Sequence, residues 1–414
     1  MIEKIIDFSA RNKFLVLIVT AALLFLSWRA MKQMPLDAVP DLSDTQVIVY
    51  SQWDRSPDIL EDQVTYPIIT ALLGAPHVKA VRGFSDFGYS YVYVIFEDGT
   101  DLYWARSRVL EYLNKIQPQL PAGVKTELGP DATSVGWVYQ YALRDTSGKL
   151  PLPELRSLQD WFLRYALQTV PGVSEVAAGG GFSKQIQVNV DPDKLFANGL
   201  TMQDVTDAVK NSSNDSGGRL LEVNGFEFMI RARGYVKNPD EIGAAVLRAN
   251  LQTGAALLVR DVARVEWGPD MTRGVAELDG QGPSVGGIIV MRHGENALRV
   301  IERVKQKLKE LKPSLPDGVE IIEVYDRSDL IHRAIETLKH TLTEEMMIVS
   351  VVILIFLWHL PSAIVPILTI PISVLLAFIP MAAMGLTTNI MSMAGIAISI
   401  GVLVDGAIVE VENA

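Results

Sequence analysis

Long uncharged runs lie near both ends of the chain, and a region of mixed polarity lies between them. The first run, residues 14–28, is apolar enough for a tilted transmembrane helix at 14–34, with Arg29 and Lys32 reaching the interface. The basic residues before it predict a cytoplasmic segment at 1–13, although Arg29 and Lys32 dilute that signal. Residues 346–404 contain a single titratable side chain, His359, and are too many for one span. Two predicted turns divide this stretch, one at His359-Leu360-Pro361 and one at Gly385 to Asn389. We predict three further transmembrane helices, at 341–359, 363–384 and 389–412.

The water-facing region, residues 35–339, alternates strand patterns with helical patterns. A strand, a helix and two strands follow one another across residues 45–97, and the same order returns across residues 138–190. Further on, the Asn224-Gly225 dipeptide between two alternating runs predicts a hairpin. Two β-α-β-β units predict ferredoxin-like (split βαβ) subdomains. The predicted fold class is therefore an α+β membrane protein, in which a transmembrane helix bundle carries these subdomains.

We divide the water-facing region into three parts. The first subdomain covers residues 35–135, and we expect residues 280–330 to complete it. The second covers residues 136–180, and we expect it to be completed near 270–280. The third part, residues 181–270, is predicted to be inserted into the second subdomain.

The composition fits membrane helices joined to a large polar part, because 49% of the 414 residues are hydrophobic and 21% are charged. The net charge of -11, without a basic patch that includes aromatic residues, argues against a nucleic-acid partner. The chain has no cysteine and its five histidines are scattered, which excludes disulfides and does not support a closed zinc site. Because no nucleotide-binding or nucleophile motif is present, we predict no cofactor and no enzyme, and an ion gradient as the energy source.

Asp405 follows the uncharged stretch that begins at Met391, without a basic neighbour. An ionised acid in hydrocarbon costs several kcal/mol unless it is protonated, paired or turned to water. A buried carboxyl can load and release protons, so we predict a proton-relay role for Asp405. Because seven-residue steps nearly realign on a helix, Met391, Ile398, Asp405 and Glu412 share one stripe. Glu412 is a candidate for proton uptake, and the alternative is an interface acid near the helix end.

Two methionines are candidate metal contacts. Thioethers are soft ligands that suit Cu(I) and Ag(I) rather than zinc or calcium. Met391 shares the stripe of Asp405, and Met271 lies in a water-facing segment. Methionine also fills gaps in membrane cores, and this alternative stays open for both. Met393 lies off the stripe and is interpreted as packing.

Several segments together are similar to the heavy-metal efflux branch of the resistance-nodulation-division (RND) transporters. The resemblance covers the whole chain and is carried by PLDAVPDLSDTQVIV, QVTYPI, RGFSDFGYSYVYVIFEDGTD, YWARSRVLEYLN, ELGPDATSVGW, LRSLQDWFL and VDGAIVEVENA. It implies a homotrimeric proton antiporter of the bacterial inner membrane, in contact with lipid and with a large periplasmic domain. It also implies a periplasmic adaptor protein and an outer-membrane channel as partners. The three water-facing parts would be two porter subdomains and an inserted docking subdomain.

The resemblance also implies roles for single residues. Asp405 matches the proton-relay acid of the family. Met391 matches a methionine on the metal path of the copper/silver branch, and Met271 resembles a periplasmic relay methionine. An unpaired acid among four helices leads us to expect that the sequence is the front part of a longer protein. The relay partners of Asp405, another acid and a lysine, and the main methionine cluster of the cleft are expected beyond residue 414.

This sequence differs from the zinc/cobalt branch at one position and from the copper/silver branch at two others. Both differences bear on which metal is transported. The zinc/cobalt branch carries an additional Asp where this sequence has Ser399, which favours Cu(I) and Ag(I) as the transported ions. The copper/silver branch has further methionines where this sequence has Leu403 and Glu410, which argues against a stepwise membrane route for the metal. The alternatives are efflux of divalent Zn, Co or Cd, a drug-exporting RND pump, and a membrane-anchored scaffold that transports nothing.

Overall fold

The structure is a computed structural model, and it describes residues 8–9, 11–232, 234–249, 255–271, 274–357 and 360–413. The chain divides into two compact units. The first contains the helices near both ends and most of two four-stranded sheets, and the second contains the segment inserted into the second sheet. Their bounds are Met1–Leu143, Leu163–Ala178 and Gly286–Ala414 for the first unit, and Arg144–Phe162 and Gly179–Val285 for the second.

The elements follow one another in the order that the hydrophobic pattern indicates. The first part of the chain forms α1 (Lys13–Gln33), β1 (Gln46–Gln52), α2 (Pro57–Leu60, Glu61–Thr65 with π geometry, and Tyr66–Leu72), β2 (Val78–Asp86), β3 (Tyr89–Phe96), α3 (Leu102–Ile116) and β4 (Lys125–Leu128). The next part forms β5 (Trp137–Asp145), α4 (Leu152–Leu158, Gln159–Leu163 with π geometry, and Arg164–Gln168), β6 (Val173–Gly180), β7 (Lys184–Val190), α5 (Pro192–Ala197), α6 (Met202–Ser212), β8 (Ser216–Val223) and β9 (Phe226–Ala232). The last part forms α7 (Pro239–Gly243), β10 (Val246–Ala249), β11 (Ala256–Leu258), α8 (Val259–Val262), β12 (Ala263–Pro269), β13 (Val285–Met291), α9 (Ala297–Leu311), β14 (Val319–Asp326), α10 (Arg327–Leu357), α11 (Leu360–Ala383) and α12 (Ile390–Asn413).

The first sheet has the strand order β2-β3-β1-β4, and neighbouring strands are antiparallel. Alternate residues of β1 and β3 turn inward, which is the period of two that a half-buried strand requires. Their apolar side chains meet those of α2 and α3 in one core, which includes Val47, Val49, Leu60, Ile68, Val94, Phe96 and Val109. Together these elements form a complete β-α-β-β-α-β unit.

The second sheet has the strand order β14-β5-β13-β6. It shows that the expected completion of both subdomains is wrong. Residues 280–330 do not complete the first subdomain, because its fourth strand is the short β4 within 35–135. They complete the second subdomain instead, since β13 and β14 lie beside β5. The expected completion of that subdomain near 270–280 is therefore wrong as well.

The inserted segment extends from the end of β6 to the start of β13, beyond the predicted 181–270. Strands β7 and β12 pair antiparallel across its base, and a small core of Leu200, Val205 and Val262 lies beside them. Strands β8 and β9 form the predicted hairpin. Positive φ angles at Asn224 and Gly225, 54° and 78°, fit the tight turn that this dipeptide favours.

Helices α1, α10, α11 and α12 pack together around one apolar core, which includes Met34, Val349, Ile370, Phe378, Ile396 and Ile400. The predicted spans at 14–34, 363–384 and 389–412 each coincide with one of these helices to within a few residues. The predicted span at 341–359 is the second half of α10, whose 31 residues begin directly after β14. The turn expected at His359 lies outside the described residues.

Length and composition identify one helix in the described chain, α1, as able to cross a membrane. Two shorter apolar stretches, Ile367–Ala383 and Ile390–Leu403, belong to α11 and α12. The four-span arrangement therefore stays a prediction.

Candidate functional site

Helix α12 positions the predicted proton-relay acid, and its start is closely defined. Asn389 caps the helix, because its side-chain oxygen accepts a hydrogen bond from the Ser392 N–H at 3.0 Å. The Ser392 hydroxyl in turn accepts the Asn389 N–H at 2.8 Å. Asn389 itself is buried. The cap therefore fixes where the helix begins.

One face of α12 is packed against other helices of this chain and the opposite face is not. Met393, Ile396 and Ile400 are buried, and Met393 thus lies where a packing role would put it. Met391 and Ile398, the two described members of the predicted stripe, are 68% and 76% exposed. The stripe lies on a helix face that this chain leaves uncovered.

Asp405 and Glu412 belong to the same helix, and their side chains lie outside the described part of the structure. The rise from Met391 to Asp405 is about 21 Å at 1.5 Å per residue. Side chains of this length cannot bridge that gap. Met391 and Asp405 thus share a stripe but do not form one site, and a metal at Met391 would be separated from the relay acid.

Met271 lies two residues after the end of β12 and is 77% exposed. It lines an open cavity of about 390 Å³ with Arg156, Ser183 and the glycines 179–181. The Arg156 guanidinium is occupied, since it binds Asp160 and the Gly180 carbonyl, both at 2.7 Å. Met271 is the one soft donor among the described lining residues. This geometry suits a passing contact with a soft ion rather than a closed metal site.

Within the described residues, no group of three or more His, Cys, Asp or Glu side chains could hold a metal ion. Carboxylate and imidazole clusters are the ligands that hard and borderline divalent ions require. The two candidate contacts, Met391 on α12 and Met271 after β12, are instead soft thioethers.

A buried ion pair between Asp37 and Arg327 is not predicted by any pattern in the sequence. The guanidinium of Arg327 lies 3.2 Å from the Asp37 carboxylate, and both side chains are almost fully buried. Burial raises the pKa of Asp37 above its ordinary value, although the charge of Arg327 opposes that rise. The pair joins positions 290 residues apart, so no local pattern indicates it. The Asp between two prolines in PLDAVP was the one available signal.

Asp131 forms another polar contact, which joins α3 beside the first sheet to β6 of the second sheet. It accepts hydrogen bonds from the Ser174 hydroxyl and, at 3.0 Å, from the Tyr103 hydroxyl. The Arg292 guanidinium lies 3.4 Å away. Burial acts to raise the pKa of Asp131, but these hydrogen bonds and the positive charge together hold it below its ordinary value. Asp131 is thus an ionised structural link rather than a proton carrier at neutral pH.

Comparison with known proteins then defines the family. The model of the AcrB/AcrD/AcrF family matches residues 5–414. The chain belongs to this family. It is 53% identical over its whole length to the cation efflux system protein CusA of Escherichia coli (strain K12) and 52% identical to the putative cation efflux system protein SilA of Salmonella typhimurium. It is 34% identical to the cobalt-zinc-cadmium resistance protein CzcA of Cupriavidus metallidurans.

A solved structure agrees with this placement. The crystal structure of a heavy metal efflux pump, in its crystal form II, matches 98% of the chain with a TM-score of 0.85 and 32% sequence identity. The resemblance to the heavy-metal efflux branch is thereby confirmed, and these relatives of the AcrB/AcrD/AcrF family are efflux proteins rather than enzymes. The chain spans about 40% of the length of the curated relatives and of the solved pump.

Proposed function

We propose that this chain contributes to the inner-membrane component of a proton-driven efflux pump for Cu(I) and Ag(I). The observation that carries the proposal is Asp405, the first charged residue of α12, on a stripe that also bears Met391. The described members of that stripe are exposed on α12. An ionised acid in hydrocarbon is unfavourable in free energy, so its presence indicates a function. Proton transport is such a function.

Two observations favour soft monovalent ions over divalent ones. The chain is 52–53% identical to two proteins named for cation efflux and 34% identical to one named for cobalt, zinc and cadmium. Ser399 also supplies no carboxylate where the divalent branch would carry an Asp. Thioethers remain as the candidate ligands, and they select Cu(I) and Ag(I).

The full-length protein that contains this chain should protect an efflux-deficient bacterium against silver and copper but not against zinc. The test compares the concentrations of each salt that stop growth, with and without the gene. An empty vector is the control for uptake by the host. Protection against zinc or cobalt, without protection against silver, would contradict the soft-metal assignment.

In the mechanism that we propose, Asp405 binds a proton from the periplasmic side and loses its attraction for a cationic partner in the rest of the protein. Helix α12 then shifts, and the two sheets open or close a cleft for the ion. Glu412 contributes to proton uptake near the end of the helix. Met391 and Met271 hold the ion only transiently, since both side chains are largely exposed.

The proposed assembly is a homotrimer that contacts membrane lipid and is joined by a periplasmic adaptor and an outer-membrane channel. The hairpin β8–β9 supports self-association. An isolated two-stranded hairpin is marginally stable in water. Its apolar side chains are exposed on both faces, among them Leu220, Leu221, Phe226, Phe228, Met229 and Ile230. Such a surface is typical of a protein contact, and we propose a second copy of the chain as its partner.

Polar substitution of one hairpin face should weaken the trimer. Leu221 and Phe228 lie opposite each other across the strands, and Leu220 and Met229 form the neighbouring pair. We expect Leu221→Asn/Phe228→Asn to shift the purified full-length protein from trimers toward monomers in native mass spectrometry. Leu220→Asn/Met229→Asn tests the other face in the same way. Unchanged trimers in both variants would show that the hairpin is not a subunit contact.

A further inference from the structure

A short backbone ribbon ties the end of α1 to the start of α12. Leu36 forms a parallel bridge with Thr388. The Asp37 N–H donates to the Thr388 carbonyl, and the Thr388 N–H donates to the Pro35 carbonyl, both at 3.0 Å. The Ile390 N–H, at the first residue of α12, donates to the Ala38 carbonyl at 3.0 Å. The start of α12 therefore cannot shift without moving residues 35–38 or breaking these bonds.

The side chain of Asp37 continues this connection into the second sheet. Its carboxylate binds Arg327, the first residue of α10. The same guanidinium donates to the carbonyls of Val135 and Trp137, each at 2.6 Å. Trp137 is the first residue of β5, an inner strand of that sheet. One buried guanidinium thus joins the ribbon, α10 and β5.

The chemistry of arginine suits this position. Its planar group presents several donors in a fixed fork, so it can hold a carboxylate and two carbonyls together. A buried guanidinium with these partners resists displacement, because each lost hydrogen bond leaves a polar group unsatisfied out of water. The connection from α12 through residues 35–38 to β5 is therefore continuous and stiff.

We propose that Arg327, through Asp37, is a positioning residue that transmits the displacement of α12 to the second sheet. This inference rests on the proposed function, since α12 carries Asp405. When α12 shifts at its start, the ribbon moves with it, and the ion pair carries that movement to Trp137 and β5. Arg327 touches neither the metal nor the relay acid.

A neighbouring ion pair provides a matched comparison. Lys305 of α9 binds Asp326, the last residue of β14, and Glu323 of the same strand at 3.2 Å. This pair stabilises the second sheet internally and makes no bond to the ribbon or to Asp37. Loss of Lys305 should lower stability without affecting the transmission of movement.

The test uses the full-length protein in proteoliposomes, with Ag⁺ as the metal and a pH-sensitive dye for the protons. In Arg327→Lys, a single ammonium on a flexible stem cannot hold the carboxylate and both carbonyls. We expect silver transported per proton to fall about ten-fold, which is within the usual range of coupling between sites. Lys305→Gln should keep the wild-type ratio even where it lowers the unfolding temperature. A merely structural role of Arg327 would reduce the amount of folded protein but not this ratio.

A wild-type ratio in Arg327→Lys would overturn the inference and leave the proposed function intact. Absence of silver transport in the wild-type protein would instead refute the proposed function. Should Arg327→Lys not accumulate, Asp37→Asn gives the same measurement, because it removes the carboxylate charge at nearly constant shape. A wild-type ratio in Asp37→Asn would then overturn the inference equally.

Discussion

Replacement of Asp405 by asparagine is expected to abolish silver and copper tolerance, down to the level of a bacterium without the pump. Asparagine has nearly the same shape as aspartate but cannot bind and release a proton. Because a neutral amide costs less in hydrocarbon than an ionised acid, the folded protein should be no less stable. The expected result is an assembled and inactive protein. The measurements are metal tolerance, the amount of trimer in the membrane and its unfolding temperature.

Ser399→Ala is the matched control for Asp405→Asn. Ser399 lies on the same helix, and its hydroxyl donates to the Ile396 carbonyl within the helix at 2.7 Å. Its loss changes a side chain of α12 without changing a titratable group, so tolerance should be retained. Retained tolerance in Asp405→Asn would refute the relay role. Equal loss in both variants would mean that α12 tolerates no substitution, and proton-flux measurements would then be needed to separate the two effects.

Gly286→Ala is expected to destabilise the second sheet severely. A Cβ at Gly286 would lie 2.3 Å from the Tyr141 carbonyl oxygen, a backbone atom that cannot rotate away. Gly286 belongs to β13, an inner strand between β5 and β6, so the sheet must open to accept the methyl group. We expect a loss of about 3 kcal/mol in the free energy of unfolding. Thermal unfolding and the yield of the full-length protein would measure it.

Gly179→Ala is the control for this substitution. Gly179 lies in β6 of the same sheet, and a Cβ there meets no other atom within 4 Å. Its effect should stay within about 0.5 kcal/mol, as for an ordinary surface position. If both variants were equally stable, β13 would not lie against β5. The comparison therefore also tests which sheet residues 280–330 complete.

The sequence predicted the repeated β-α-β-β order because alternation and helical spacing are local properties. It did not predict how the sheets close. Strand β4 has only four residues, Lys125–Leu128, too few to show a clear alternation. Strands β5 and β14 are neighbours in the sheet but are separated along the chain by the whole inserted segment and by β6 and β13. Strand pairing over such a separation has no local signal. The expected closures were therefore wrong, whereas the insertion and its hairpin were recognised.

Some candidate residues could likewise be identified from the sequence, and others only from the fold. Asp405 could be singled out as a candidate because a charge in an apolar helix differs from its neighbours, and Met391 because it shares the stripe of Asp405. Arg327 and Asp37 were not, since each is an ordinary charged residue until the fold brings them together and buries them. The stripe pattern gives no information on burial. The structure shows that Met391 and Ile398 lie on a helix face that this chain leaves exposed.

The uninterrupted course of α10 has a mechanical consequence. Its 31 residues correspond to a rod of about 46 Å, because each residue of an α-helix adds 1.5 Å. A tilt of about 5° around Arg327 would displace the opposite end, near Leu357, by about 4 Å. The helix can thus pivot at the Arg327 guanidinium. A small rotation of the sheet then displaces the opposite end of α10 by about the width of a side chain.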